Sequence, residues 1–339
     1  MKDYLNKFLL LLALAGAANF VAFAQAKAKI VCPEEAAQFA AFVEAAATDN
    51  PPMEKAVATD ARPTVSFCVT EGSVNVRGWQ RNEVRAMVED GKVGFKIMKR
   101  NAENAAAWLR VIGFDPKETV KPGMGKRDEC LSGSNIEIEV PYGTFVDVQS
   151  RRDADFKIES VAKTKVQNLN GEVLIRDIRE EAEISSLAGN IVVEDSVGKI
   201  QLKSFSGNVY GIRLKPLNYS DSLNVKSESG NVTLQDIAHA NIVAGSSNSN
   251  LNYFGELVSG GVYKFSTVSG AVTMFLPLKS SFQFNATLSA GGRFQSLFPI
   301  KTTKETKPGQ ASRFVGTYGT GDATVNITTY SGALRLKKQ

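Results

Sequence analysis

Ser206-Gly207-Asn208-Val209 and Ser229-Gly230-Asn231-Val232 are two copies of one short pattern, and the interval at which that pattern returns decides the fold. Aligned on its glycine, it recurs at Gly171, Gly189, Gly207, Gly230, Ser249 (serine in place of glycine), Gly270, Gly292 and Gly332. The steps are 18, 18, 23, 19, 21, 22 and 40 residues, the last covering two units. A period near 20 residues is the signature of a solenoid, in which no unit can bury its own apolar face and stacking supplies the core.

The flanking columns carry the same message. Two residues after each corner stand Val173, Ile191, Val209, Val232, Leu251, Val272, Phe294 and Leu334. Five before it stand Val166, Ile184, Leu202, Val225, Ala244, Phe265 and Ile327, and three before it Asn168, Ser186, Ser204, Ser227, Ser246, Thr267 and Thr329. Side chains alternate along a strand, so the positions seven, five and three before the corner share one face. Each unit therefore turns two apolar residues and one small polar residue inward, bends at the glycine, and turns the next apolar residue inward. The expected fold is all-β, a single-stranded parallel β-solenoid of about nine rungs, ~45 Å long at ~4.8 Å per rung, with right-handed winding as the default for parallel connections. The corner glycines are expected at positive φ, and the inward Ser and Thr residues as a polar ladder satisfying corner backbone groups.

Regular repeats span 150–339 and first rungs 63–150, so the solenoid domain is read as 63–339. Within it, Ala105, Trp108, Leu109 and Ile112 fall at helical spacing and predict a short inserted helix over 101–112. Ahead of it, 25–62 is Ala-rich. Pro33 and the acids after it suit a helix start, and Asp49-Asn50-Pro51-Pro52 a stop, so a capping helix and an unanchored leader are both open. Residues 1–24 read as a signal peptide, with Lys2 and Lys7, an apolar run from Phe8 to Ala18, and small residues at Ala22 and Ala24. Cys32 follows Lys27 and Lys29 rather than closing the apolar run, which argues against a lipid anchor. No second stretch is apolar enough to span a membrane as a helix, so no span is expected after cleavage. Export to the periplasm, cell surface or medium puts Cys32, Cys68 and Cys130 in an oxidising compartment. One disulfide among the three is expected, with Cys68–Cys130 preferred because both flank strands of the first rungs.

The composition narrows the chemistry. The chain has 339 residues, 43% hydrophobic and 22% charged, which excludes a largely disordered chain. Its net charge of +5 is too small and dispersed for a nucleic-acid partner. A single histidine, His239, excludes multi-histidine metal and haem sites, and it reads as a surface turn residue.

Val76-Arg77-Gly78-Trp79 with Val84 downstream, the Val140-Pro141-Tyr142-Gly143 turn and the Ser-Gly-Asn-Val series resemble the DUF4097 group of bacterial putative adhesins over residues 64–339. The resemblance implies an exported β-helix-like protein and carries no catalytic residues.

Asp177, Asp195 and Asp236 share a column six residues after the corner, with Arg213 between the last two. Neighbouring carboxylates about 5 Å apart could serve Ca²⁺ or glycoside chemistry, but aspartate also begins turns, and the turn reading is preferred. Gly260-Gly261 and Gly291-Gly292 lack the Lys-Ser/Thr of a phosphate loop. Lys301, Lys304, Lys307 and Arg313 mark a basic loop between rungs, and Trp79 and Trp108 read as packing residues. No catalytic, cofactor or metal residue is assigned. The expected function is a non-enzymatic exported scaffold, an adhesin or polymer-binding protein, whose partner is a polysaccharide, an envelope component or a protein. The alternative is a carbohydrate-active β-helix enzyme, a lyase or hydrolase.

Overall fold

Alternation in the sequence becomes alternation in burial. The structure, a computed structural model, describes residues 52–101, 104–117, 128–289, 291–305 and 311–339. Every regular element among them is a strand. The predicted capping helix and signal peptide lie outside the described residues. The chain divides at Pro51/Pro52, and all of these strands belong to the unit Pro52–Gln339.

β1 (Met53–Trp79) is continuous across position 62 and bends at Gly72, where φ is +125°. β2 (Glu83–Val88) runs antiparallel to it, β3 (Gly94–Arg100) pairs antiparallel with β4 (Ala106–Ile112), and β4 and β5 (Leu131–Pro141) pair parallel with β1. The helix expected over 101–112 is not there, since its second half is β4. The same apolar residues satisfy a strand, because Leu109 and Val111 alternate inward while Trp108 stays 40% exposed. Ladders to β1 and β3 on both sides outweigh the helical spacing. A disulfide joins Cys68 of β1 to Cys130, one residue ahead of β5, with Cα atoms 4.6 Å apart.

Each following repeat supplies two strands, a first, long one of six to eight residues and a second, short one of four or five, except that the first of the short strands has six. The pairs are β6 (Phe145–Ser150) with β7 (Ala154–Glu159), β8 (Lys163–Asn170) with β9 (Val173–Arg176), and β10 (Glu181–Ala188) with β11 (Ile191–Glu194). Then come β12 (Lys199–Ser206) with β13 (Val209–Ile212), β14 (Ser222–Ser227) with β15 (Val232–Gln235), β16 (Asn241–Ser246) with β17 (Leu251–Phe254), and β18 (Val262–Thr267) with β19 (Val272–Leu276). Long pairs with long and short with short, all parallel, so that Ile191, Val209, Val232, Leu251 and Val272 stand one on the next and are fully buried.

The last strands depart from sequence order. β20 (Phe282–Leu288) and β21 (Arg293–Ser296) do not follow β18 and β19 in the stack. Instead β24 (Ala323–Thr329) lies between β18 and β20, and β25 (Ala333–Lys338) between β19 and β21. β22 (Lys301–Glu305) and β23 (Ser312–Tyr318) form an antiparallel hairpin on β20. The basic loop read from the sequence is thus largely this hairpin. Arg313 donates from Nε to Asn285 Oδ1 at 3.1 Å, and Lys307 lies outside the described residues. Toward this end the core residues enlarge. Tyr253, Tyr263, Phe265, Phe282 and Phe284 are buried, and the Tyr253 hydroxyl donates to the Glu256 carbonyl at 2.7 Å.

The corner is where rungs come closest. A Cβ on Gly189 would stand closer than 3.0 Å to the Gly171 carbonyl oxygen; Gly207 meets Gly189 in the same way, Gly230 meets Gly207, and Gly332 meets Gly270. Gly270 meets Ser249. Positive φ, expected throughout, occurs only at Gly171 (+107°) and Gly189 (+121°) among the seven aligned corner glycines. At Gly207, Gly230, Gly270 and Gly332 glycine is required for space instead. Left-handed non-glycine residues recur at a second corner, six positions on at Asp177, Asp195, Arg213 and Asp236 and at Ser160 in the preceding rung, with φ from 48° to 59°. Three of these five are Asp, whose short polar side chain tolerates that conformation.

Two ladders flank the corner. Inside, the Ser227 and Ser246 hydroxyls donate to the Gly207 and Gly230 carbonyls at 3.1 and 2.9 Å, and Gly332 N–H donates to Thr329 Oγ1 at 2.9 Å. Outside, the asparagines after the corner accept from the next rung. Asn208 N–H bonds Asn190 Oδ1 at 3.0 Å, Asn231 N–H bonds Asn208 Oδ1 at 3.0 Å, Asn250 N–H bonds Asn231 Oδ1 at 3.1 Å, and Ala271 N–H bonds Asn250 Oδ1 at 3.0 Å. Replacing Asn231 by Ala is expected to cost about 1 kcal/mol. It should speed hydrogen exchange at the Asn250 amide while leaving the Asn208 amide unchanged; equal exchange at both would contradict the ladder.

Candidate interaction surface

Strand alternation places every second residue of the long strands outside. Because the strands stack in register, these residues form three columns over β8, β10, β12, β14, β16, β18 and β24. The middle column reads Gln167, Ser185, Lys203, Lys226, Gly245, Ser266 and Thr328. On the side nearer the corner follow Leu169, Leu187, Phe205, Glu228, Ser247, Val268 and Tyr330. Leu169, Leu187 and Phe205 are consecutive and exposed, Phe205 at 58%; at the other end Val268 is exposed and Tyr330 is 61% exposed. These are large apolar side chains at positions where alternation on a solvent-facing strand favours polar ones.

Alongside these apolar side chains the small ones leave hollows. Two shallow troughs, about 750 Å³ and 540 Å³, share Lys203 and Lys226 as walls. Val243, Gly245 and Ser266 line the smaller one, which is mostly apolar, and Ser185, Leu187 and Phe205 the larger. Lys226 pairs with Glu228 at 2.6 Å, and Glu228 accepts from the Ser247 hydroxyl at 2.5 Å. Both contacts hold the Glu228 carboxyl below its usual range, the lysine chiefly.

The aspartate column lies at the second corner. Arg213 clamps Asp195 with two bonds, Nε to Oδ1 at 2.5 Å and Nη2 to Oδ2 at 2.8 Å, and Arg179 bonds Asp177 at 3.1 Å. The Arg213 hydrogen bond lowers the Asp195 pKa, so this carboxylate is ionised and engaged. The structure brings Asp177 and Asp195 onto neighbouring rungs as the sequence spacing implies, but supplies each with an arginine. Among the described residues no group of three His, Cys, Asp or Glu is placed to hold a metal ion. Trp79 donates from Nε1 to the Glu83 carbonyl at 2.9 Å, and the Arg81 and Arg85 guanidinium groups lie 5.0 and 5.4 Å from its ring centroid.

His239 corrects the sequence reading. It is not a surface turn residue but 0% exposed, with Nε2–H donating to the Gly198 carbonyl at 2.7 Å. Nδ1 is buried without a hydrogen-bond partner among the described residues. Burial pushes the ring's pKa below its ordinary 6.5. The unfolded chain then takes up a proton that the folded chain resists. Stability is therefore fullest above pH ~6.5 and falls as the pH drops from there toward the depressed folded pKa, with a slope of up to about 1.4 kcal/mol per pH unit. Urea unfolding between pH 7 and pH 5 should show this decline, and His239→Gln should flatten it. A wild-type curve level across that window would contradict the assignment.

The outward columns and the asparagine ladder escaped the sequence reading, which followed the inward positions. The signals were present as Leu169, Leu187 and Phe205 at one offset and as the asparagine repeated after the corner.

One family profile, Toastrack DUF4097, matches residues 130–337, more than half of the chain. No curated protein matches. Two solved structures are similar. One is a putative cell adhesion protein from Clostridium sporogenes, 11% identical over 85% of this chain and 100% of that one, with a TM-score of 0.21. The other is a putative adhesin from Parabacteroides distasonis, 9% identical over 85% of this chain and 98% of that one, with a TM-score of 0.35. At such scores neither likeness carries an argument about fold or function.

Proposed function

Because the chain belongs to the Toastrack DUF4097 family, we propose that it is an exported, non-enzymatic β-solenoid scaffold of adhesin type whose long-strand face is its contact surface. The observation that carries this reading is the outward face itself, seven rungs of registered columns with exposed apolar side chains at both ends and two adjoining troughs along it. A rigid parallel stack holds those columns without the ordering cost that flexible contact loops would incur on binding. Export draws support from the basic, apolar and small-residue pattern of 1–24 and from the Cys68–Cys130 disulfide, a bond that persists in oxidising compartments. Right-handed winding belongs to the same proposal.

The hydrolase form of the carbohydrate-active alternative needs a groove with one protonated carboxyl beside one ionised carboxylate. Asp177 and Asp195 are instead exposed and each held by an arginine. Protein recovered from the periplasm or medium should be retained on envelope polysaccharide or cell-wall material without releasing soluble sugar. The double change Phe205→Glu with Tyr330→Glu should weaken retention at least tenfold, whereas Asp177→Asn with Asp195→Asn should leave it within about threefold, under ~0.7 kcal/mol. Product release that disappears in the aspartate variant would establish the lyase or hydrolase reading in its place.

A further inference from the structure

We propose that the partner of the long-strand face is the same face of a second copy of this chain, docked about a two-fold axis lying parallel to β14. This rests on the reading of that face as the contact surface and names its occupant.

The argument comes from the order of the columns. The seven long strands from β8 to β24 centre on β14, with β12, β10 and β8 on one side and β16, β18 and β24 on the other; β6 continues the stack beyond β8 and β20 beyond β24. A two-fold axis in the interface plane, running along β14, reverses the stacking order but keeps each column opposite itself. β10 then faces the partner's β18, β12 faces β16, and β8 faces β24. Each of these juxtapositions is complementary. Leu187 meets Val268 and Leu169 meets Tyr330, four exposed apolar side chains covering one another. Phe205 and Lys203 stand opposite Ser247 and Gly245, so the largest side chains enter the trough left by the smallest. In the third column Glu183, which lies 3.4 Å from Lys165 of its own chain, faces the exposed Lys264. On the axis, Lys226 and Glu228 each face their own copy, and each lysine is neutralised by the glutamate of its own chain, 2.6 Å away. An isologous interface requires a surface complementary to itself under one rotation, and these columns supply it.

The area agrees with a reversible contact. Seven strands at ~4.8 Å and three columns of side chains cover roughly 600 Å² per copy, about 1,200 Å² in total, the lower bound for specific interfaces. Self-association is therefore expected in the micromolar range rather than as an obligate dimer.

Sedimentation velocity of the purified protein from about 1 to 100 μM should show a monomer–dimer equilibrium. Leu187→Asp should weaken it at least tenfold, while Leu217→Asp, an exposed residue in the loop between β13 and β14, should leave it unchanged. Glu183→Lys and Lys264→Glu should each weaken it about five- to tenfold, and the two together should restore it to within about threefold of wild type, a rescue that general surface damage cannot produce. A monomer throughout the range, a dimer indifferent to Leu187→Asp, or a double reversal no better than either single one would each overturn the proposal. Retention of a strictly monomeric protein on envelope material would overturn it while leaving the proposed function standing. A dimer with the predicted mutational pattern but no such retention would uphold it and confine the binding activity to self-recognition.

Discussion

The fold depends on one close approach. At the first corner of the glycine-bearing rungs, the carbonyl oxygen of the neighbouring rung occupies the space where a side chain would begin; Ser249 is the exception to the glycine column. That contact fixes how far neighbouring rungs can shift along their strands. It places the inner hydroxyls within reach of the corner carbonyls and the outer asparagines within reach of the next amide. A parallel stack of short strands has weakly specified register where a face is polar, since slipping by one residue exchanges inside for outside. Here the corner and its two ladders pin the register at one end of the long strands they join, and the apolar columns complete it.

That constraint is also why so much could be read from the sequence. The glycine column, the apolar positions beside it and the inward hydroxyls are local, one-residue signals that repeat, and stacking turns repetition into structure. What failed had competing solutions. Leu109 and Ile112 fit a helix as well as a strand, and only the flanking ladders from β1 and β3 decided for β4. Positive φ was assigned to the first corner, where space rather than conformation usually demands glycine; the left-handed residues stand at the second. His239 looked like a turn residue because its strand ends just before it, yet the tertiary stack closes over the ring. Nothing local announces that β24 enters between β18 and β20. That is a long-range pairing, visible in the sequence only as a step of two periods.

For the contact surface, the inward columns explain stability and the outward columns carry whatever is specific to this chain. A solenoid converts substitutions at one repeat offset into a line on its surface. Three successive apolar residues there create a ridge, and a glycine and two serines two or more rungs away create a hollow. The carboxylates that looked most like chemistry serve the second corner instead, in a conformation that few residues accept and with arginines as partners.

Two glycines separate the space argument from the conformational one. Gly207 lacks a positive φ but has the Gly189 carbonyl where its Cβ would be, whereas Gly291 has φ +77° and nothing within 4 Å. Equilibrium unfolding of Gly207→Ala and Gly291→Ala measures both costs in one fold. The account predicts a loss of about 3 kcal/mol or more for Gly207→Ala, through overpacking against backbone, and about 1 kcal/mol for Gly291→Ala. A Gly207→Ala protein as stable as wild type, or a larger loss at Gly291, would contradict the claim that the rungs are held in place by contact at the corner.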